Sequence, residues 1–201
     1  MGFWRRDKRR QDQARTSDWF RDAVRFYRQL GFFEEHKALS EDDLVTTLRE
    51  FMREAYYEPP DSSRRSADPE VMRLDDDRVW WDDMEADVCA ENEVYSELLP
   101  RLSAISRGAL TIGEVTETWE GERGPVSVEF TANGTRHLIH PEFQEDWIAP
   151  NFLEEVGRLL EGSPFRFYTW DTQGQDLFLV ALTRDEAERI QRERGVKVEP
   201  L

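Results

Sequence analysis

Val126-Ser127-Val128-Glu129-Phe130, the pair Asn133-Gly134, and Arg136-His137-Leu138-Ile139-His140 together decide how this chain folds. Apolar and polar side chains alternate on either side of the Asn-Gly pair, which is the period of a half-buried strand, and Asn-Gly supplies the positive φ that a tight hairpin turn needs. Strands joined by so short a turn pair antiparallel, because a parallel crossover needs a dozen residues or more.

Reading outward, residues 115–119 form a preceding strand across a turn at 121–125. After the hairpin, Phe152, Val156, Leu159 and Leu160 recur at helical spacing over 150–160, and Gly162-Ser163-Pro164 ends that helix. Strands at 165–170 and 177–182 flank Asp171-Thr172-Gln173-Gly174, and a last helix over 183–194 opens on a Thr183/Glu186 capping box. The expected class is α+β, with one antiparallel sheet of about five strands and helices packed on one face.

The N-terminal part is helical. Phe20, Ala23, Val24, Tyr27 and Leu30 share one face of a helix over 18–30, with Thr16 and Ser17 as caps and Gly31 as its stop. Ser40-Glu41-Asp42-Asp43 opens a second helix, with Leu44, Leu48, Phe51, Met52 and Ala55 as its buried stripe and Pro59-Pro60 beyond it. Residues 61–69 read as a solvated connection, and a third helix is expected over 82–106, interrupted or restarted at Pro100. The resulting organisation is a disordered basic leader at 1–15, a helical layer at 16–60, and an α+β body at 70–201 that forms one compact unit with that layer.

The 201 residues carry a formal charge of -16, from 43 acidic and 27 basic side chains. Arg5, Arg6, Lys8, Arg9, Arg10 and Arg15 crowd into the leader, so the remainder is more acidic still. Such a body repels a nucleic-acid backbone and suits a basic protein partner. Cys89 is the single cysteine, which excludes an internal disulfide and a cysteine-rich zinc site and fits a reducing compartment. No run approaches a membrane span, and 11–18 is polar where a signal peptide is apolar, so the expected location is cytoplasmic, away from membranes. The 12 Phe, 7 Trp and 5 Tyr supply core material despite the polar average.

Two surfaces are candidates for function. Asp75, Asp76, Asp77, Asp82 and Asp83 flank Trp80 and Trp81, an acidic rim beside indoles, and Trp147 lies in an irregular stretch where it can serve as an exposed anchor. On a helix over 82–106, spacing places Trp81, Glu85, Asn92 and Tyr95 along one wall. The aspartates lack the spacing of an EF-hand, and His137 and His140 fall on opposite faces of a strand, so no metal or other cofactor is implied. HExxH, GxSxG and Walker patterns are missing, and no catalytic residue is assigned. The favoured reading is an acidic protein-binding inhibitor that covers a basic partner surface. The alternative is an enzyme or small-ligand protein built on the Trp81/Glu85/Asn92/Tyr95 wall, with His137 or His140 as acid/base partner.

The stretch 78–87 (Arg78-Val79-Trp80-Trp81-Asp82-Asp83-Met84-Glu85-Ala86-Asp87), with Asn92, Tyr95, Ile105-Ser106-Arg107-Gly108 and Glu117-Thr118-Trp119-Glu120, resembles small uncharacterised bacterial proteins. Together with the acidity and the turn-rich second half, the chain looks like the immunity proteins that neutralise polymorphic toxins. The resemblance spans about residues 74–195 and implies a stoichiometric inhibitor of another protein, without assigning individual residues.

Overall fold

The computed structural model describes residues 19–55 and 68–201. The basic leader, Thr16 and Ser17, Pro59-Pro60 and most of the 61–69 connection lie outside them. The described chain is α+β and divides into two compact units, one reaching to Asp75 and including Arg192–Val196, the other comprising Asp76–Gln191 and Lys197–Leu201. Among the described residues no helix is long and apolar enough to cross a membrane.

The first unit is helical. Helix α1 covers 19–29 and buries Phe20, Ala23, Val24, Phe26 and Tyr27, the stripe that the 3.6-residue period dictates. Helix α2 (Glu41–Ala55) starts where Ser40 accepts the Asp43 N–H at 3.2 Å. Leu44, Val45, Leu48 and Met52 turn inward, whereas Phe51, expected in that stripe, is exposed. Helix α3 (Asp68–Met72) carries a fully buried aspartate at its first position. Asp68 Oδ1 accepts from Trp19 Nε1 (3.1 Å) and Arg194 Nη2 (2.9 Å), while Oδ2 accepts from the Tyr27 hydroxyl (2.8 Å) and Arg194 Nε (2.6 Å). A buried carboxylate is tolerable only when paired and bonded in this way.

The second unit holds seven strands in two antiparallel sheets. Strands β1 (Val79–Asp83), β6 (Asp176–Thr183), β5 (Phe165–Trp170) and β7 (Glu199–Pro200) form one, in the order β1-β6-β5-β7. Strands β2 (Ile112–Trp119), β3 (Val126–Ala132) and β4 (Thr135–Ile139) form the other as a meander. All five expected strands are present. They divide between two sheets because β6 takes β1 as its second neighbour, pairing Trp80 with Leu179 and Trp81 with Phe178. Asn133 and Gly134 turn the β3–β4 hairpin at φ 50° and 80°, left-handed geometry that asparagine tolerates and that glycine, lacking a Cβ, adopts freely.

The core of this unit lies between the sheets and two helices, α4 (Val94–Ile105) and α5 (Pro150–Arg158). Val126, Val128, Phe130 and Ala132 of β3 meet Leu98, Leu99 and Leu102 of α4, Phe152 and Val156 of α5, and Trp80, Phe167, Leu179 and Ala181 of the four-stranded sheet. Each fully buried large side chain contributes about 1.5–3 kcal/mol. Glu117 reaches from β2 to the start of α4, accepting the Ser96 N–H at 2.9 Å, where the helix dipole favours a negative charge. Helix α6 (Arg184–Arg194) opens on the expected capping box, with Thr183 N–H to Glu186 Oε2 at 2.8 Å and Glu186 N–H to Thr183 Oγ1 at 3.2 Å.

The expected helix over 82–106 is corrected by the structure. Its first part is the end of β1 and an irregular loop, and helix begins only at Val94. Cross-strand packing explains the difference: the Trp81 ring meets Phe178 and Trp170 edge-on at 5.6 and 5.8 Å, contacts open to a strand on the edge of this sheet. Pro100 is held inside α4, exposed on its outer side, where it offers no N–H to the preceding turn.

Candidate functional site

Beyond Asp83 the chain bends at Met84 and pairs again at Glu85, and this short segment positions the candidate site. Met84 N–H donates to Gln175 O at 3.1 Å on one side. On the other, Ala86 N–H donates to Asp146 O and Ile148 N–H to Met84 O, each at 2.8 Å, so that Glu85 and Trp147 stand opposite each other in an antiparallel bridge. Residues directly opposite in such a bridge have neighbouring side chains. Trp147 remains 38 % exposed, at the end of a turn in which its own N–H bonds Gln144 O. The loop before it, with Glu142, Phe143, Glu145 and Asp146, is exposed as well.

The acids beside this indole are held by the backbone and by one amide. Asp82 Oδ1 accepts the Asp83 N–H and Asp83 Oδ1 accepts the Glu85 N–H, both at 2.9 Å. Gln175 donates through Nε2 to Asp83 Oδ2 at 2.6 Å and to Glu85 Oε2 at 3.2 Å, so a single side chain holds two carboxylates close together. Coulomb repulsion between them is offset by the shared donor, and their remaining lone pairs are free to meet a cation.

Of the residues singled out from the sequence, the structure sets Glu85 opposite Trp147 and joins Asp83 to Glu85 through Gln175, with Asp82 next to Asp83 along the chain. Trp80 and Trp81 are elsewhere in character: Trp80 is 7 % exposed within the core, and Trp81 is half-buried against Trp170 and Phe178. Asp75 is buried and accepts the Phe33 N–H, a local role in the first unit, where Phe33 has φ 63°. Asp76 and Asp77 are exposed.

The wall inferred from helical spacing does not form, because Glu85 lies on an extended segment, Asn92 in a loop and Tyr95 on α4. Asn92 Nδ2 donates to Asp87 O at 2.9 Å and Asp87 Oδ2 at 3.1 Å, closing the 87–92 loop on itself. Tyr95 faces the core, its ring 4.6 Å from that of Phe152, and its hydroxyl accepts the Ala149 N–H at 3.3 Å. Burial pushes its phenol up to about 12, since the charged form cannot be solvated there. His137 stacks on Phe130, and His140 lies 3.1 Å from Ser127 Oγ. Among the described residues no group of three His, Cys, Asp or Glu side chains converges as a metal would require.

Sequence reasoning missed Gln175, which lies in the β5–β6 turn, and Glu97 and Arg101, which face the same region from α4. Nothing local marks them: their relevance follows from the register of β1 against β6 and from where α4 begins. Comparison with protein-family models, with curated proteins and with solved structures returns no match, so the chemistry of the site rests on its own geometry.

Proposed function

We propose that this chain is a protein-binding inhibitor that covers a basic surface of its partner, with Trp147 as the apolar anchor and Asp82, Asp83 and Glu85 as the charged rim beside it. The observation that carries this reading is the Glu85–Trp147 bridge: it fixes a solvent-facing indole next to carboxylates that the Gln175 amide already orients. A rigid aromatic with a charged border is the usual composition of an interface hot spot, and pre-ordering lowers the entropy cost of association. The chain's charge of -16 supports a partner of opposite sign and a fast, salt-sensitive encounter.

The test is quantitative binding to a partner recovered by affinity capture at low salt, then purified and measured on its own. The reading expects a basic protein whose affinity falls about tenfold or more on Trp147→Ala, a loss of ~1.4 kcal/mol, and falls again as salt rises. An affinity indifferent both to that substitution and to salt sinks it.

A further inference from the structure

We propose that the cleft between β5, β7 and α6 binds a small organic acid, its carboxylate held by Arg166, Arg184 and the Tyr168 hydroxyl and its apolar body packed beside them. The cleft has a volume of about 460 Å³, within the span of small-molecule sites. Its lining lies wholly in the second unit and includes none of Asp82, Asp83, Glu85 and Trp147, so this inference goes beyond the reading above and does not depend on it. Alternation along β5 sends Phe167 into the core and turns Arg166 and Tyr168 to the opposite face, where they line the cleft with Ala187 and Glu188 of α6. The Arg166 side chain makes no ion pair or hydrogen bond among the described residues. Arg184 donates through Nε to Glu188 Oε1 at 2.7 Å, and both of its NH2 groups lack a partner among the described residues. Two guanidinium groups against the one carboxylate of Glu188 leave the cleft positive in a chain whose charge is -16.

Tyr168 supplies a second observation, independent of charge. The residue is only 8 % exposed, yet its hydroxyl makes no hydrogen bond among the described residues and is not sealed from solvent. A phenol this deeply buried normally has a partner. The Arg184 guanidinium is held above its ordinary value first by Glu188 and to a smaller degree by the Tyr168 phenol, which puts that phenol near the free NH2 groups. A carboxylate entering the cleft accepts from the hydroxyl with one oxygen and from the planar guanidinium forks with both, a charge-assisted geometry to which arginine is suited. Glu188 remains in the cleft and repels a dianion more than a monoanion, which favours a carboxylate over a phosphate ester. Pro164, Val198 and Pro200 add apolar lining for the body of the acid.

The test titrates the isotope-labelled full chain with benzoate at constant ionic strength. It reads the Arg166 Nε–H resonance, assigned by its loss in Arg166→Gln, and the Tyr168 ring resonances, assigned by their loss in Tyr168→Phe. The expected result is a saturable shift of both, with a dissociation constant on the order of 1 mM. Acetate, which lacks the apolar body, and phenyl phosphate, which adds a charge, each bind roughly 10-fold more weakly. Uncharged benzamide leaves the Arg166 resonance unmoved, since a charge-assisted contact is what holds the ligand. Arg166→Gln alters an exposed side chain and so leaves folding intact; followed through Tyr168, it weakens benzoate binding roughly 10-fold. Tyr168→Phe, followed through Arg166, weakens it by about 3- to 10-fold, the worth of one hydrogen bond. No saturable shift with benzoate, an equal response to benzamide, acetate or phenyl phosphate, or an affinity indifferent to either substitution overturns the proposal.

Discussion

Glu85 stands opposite Trp147 in an antiparallel bridge whose flanking hydrogen bonds, Ala86 to Asp146 and Ile148 to Met84, are both 2.8 Å long. The backbone under both side chains is thus pinned twice, and changing either side chain leaves the pairing intact. Glu85→Lys is expected to keep the unfolding free energy within about 0.5 kcal/mol of wild type, as for surface substitutions in general. Its effect falls on association with a basic partner, where a charge reversal slows the on-rate and flattens the salt dependence. Stopped-flow association at two ionic strengths checks both; an unchanged on-rate at low salt refutes the electrostatic role of Glu85.

Asp68 receives four hydrogen bonds on two oxygens, two of them from Arg194. Asp68→Asn replaces one of those oxygens with an NH2 group that faces donors, and it removes the carboxylate that is hydrogen-bonded to Arg194. Removing one partner from a buried pair costs about 3–5 kcal/mol, so this variant is expected to lose a large part of the stability of the first unit. Urea titration measures it. Replacing both members with apolar residues, as in Asp68→Leu with Arg194→Met, is expected to recover part of the loss, because the remaining cost is then one of packing.

These two relationships show what the sequence could and could not disclose. The β3–β4 hairpin was legible because Asn133-Gly134 specifies its turn locally, and so were the capping box of Thr183 with Glu186 and the buried stripe of α1. Each depends on residues a few positions apart. The end of strand β1, Asp82-Asp83, falls in the helix expected over 82–106, because its strand character comes from Leu177 and Asp176, which are remote in sequence. Asp68 and Arg194 are separated by 126 positions, and no local pattern predicts their meeting. Trp147 was expected to be exposed from the polar, irregular stretch that contains it, and it is. Its pairing with Glu85, which turns an exposed indole into a site, is again a matter of long-range register.

Tyr95 links stability to alkaline pH. Burial raises its phenol from the ordinary value near 10 to about 12, and burial followed by the neighbouring Asp68 carboxylate raises that of Tyr27 well above its ordinary value. The folded state therefore favours the protonated phenols. Their contribution is complete below pH 10; that of Tyr95 is lost as pH rises through about 12 and that of Tyr27 as pH rises through its own raised value, because the unfolded chain releases protons that the folded chain keeps. Tyrosinate absorbance during an alkaline titration is expected to show late ionisation of these two phenols, with unfolding accompanying it. Tyr95→Phe removes one of the late groups and, with it, part of the fall in stability above pH 10, at the cost of the acceptor for Ala149 N–H.

Asn133 does two jobs, and substitutions can separate them. Its backbone supplies the left-handed turn position at φ 50°. Its side chain reaches across to the residues before β2, with Oδ1 accepting the Thr111 N–H at 2.8 Å and Nδ2 donating to Ala109 O at 3.0 Å. Asn133→Gly keeps the turn geometry and loses both side-chain bonds, so its cost reports the docking alone, about 1–2 kcal/mol for two exposed neutral bonds. Asn133→Asp keeps the acceptor for Thr111 and loses the donor to Ala109, placing it between wild type and glycine. Asn133→Val loses the bonds and also forces a β-branched residue into positive φ, and is the most damaging of the three. Chemical denaturation gives the ranking directly; if glycine is as stable as asparagine, the side-chain bonds contribute nothing and the residue is there for the turn alone.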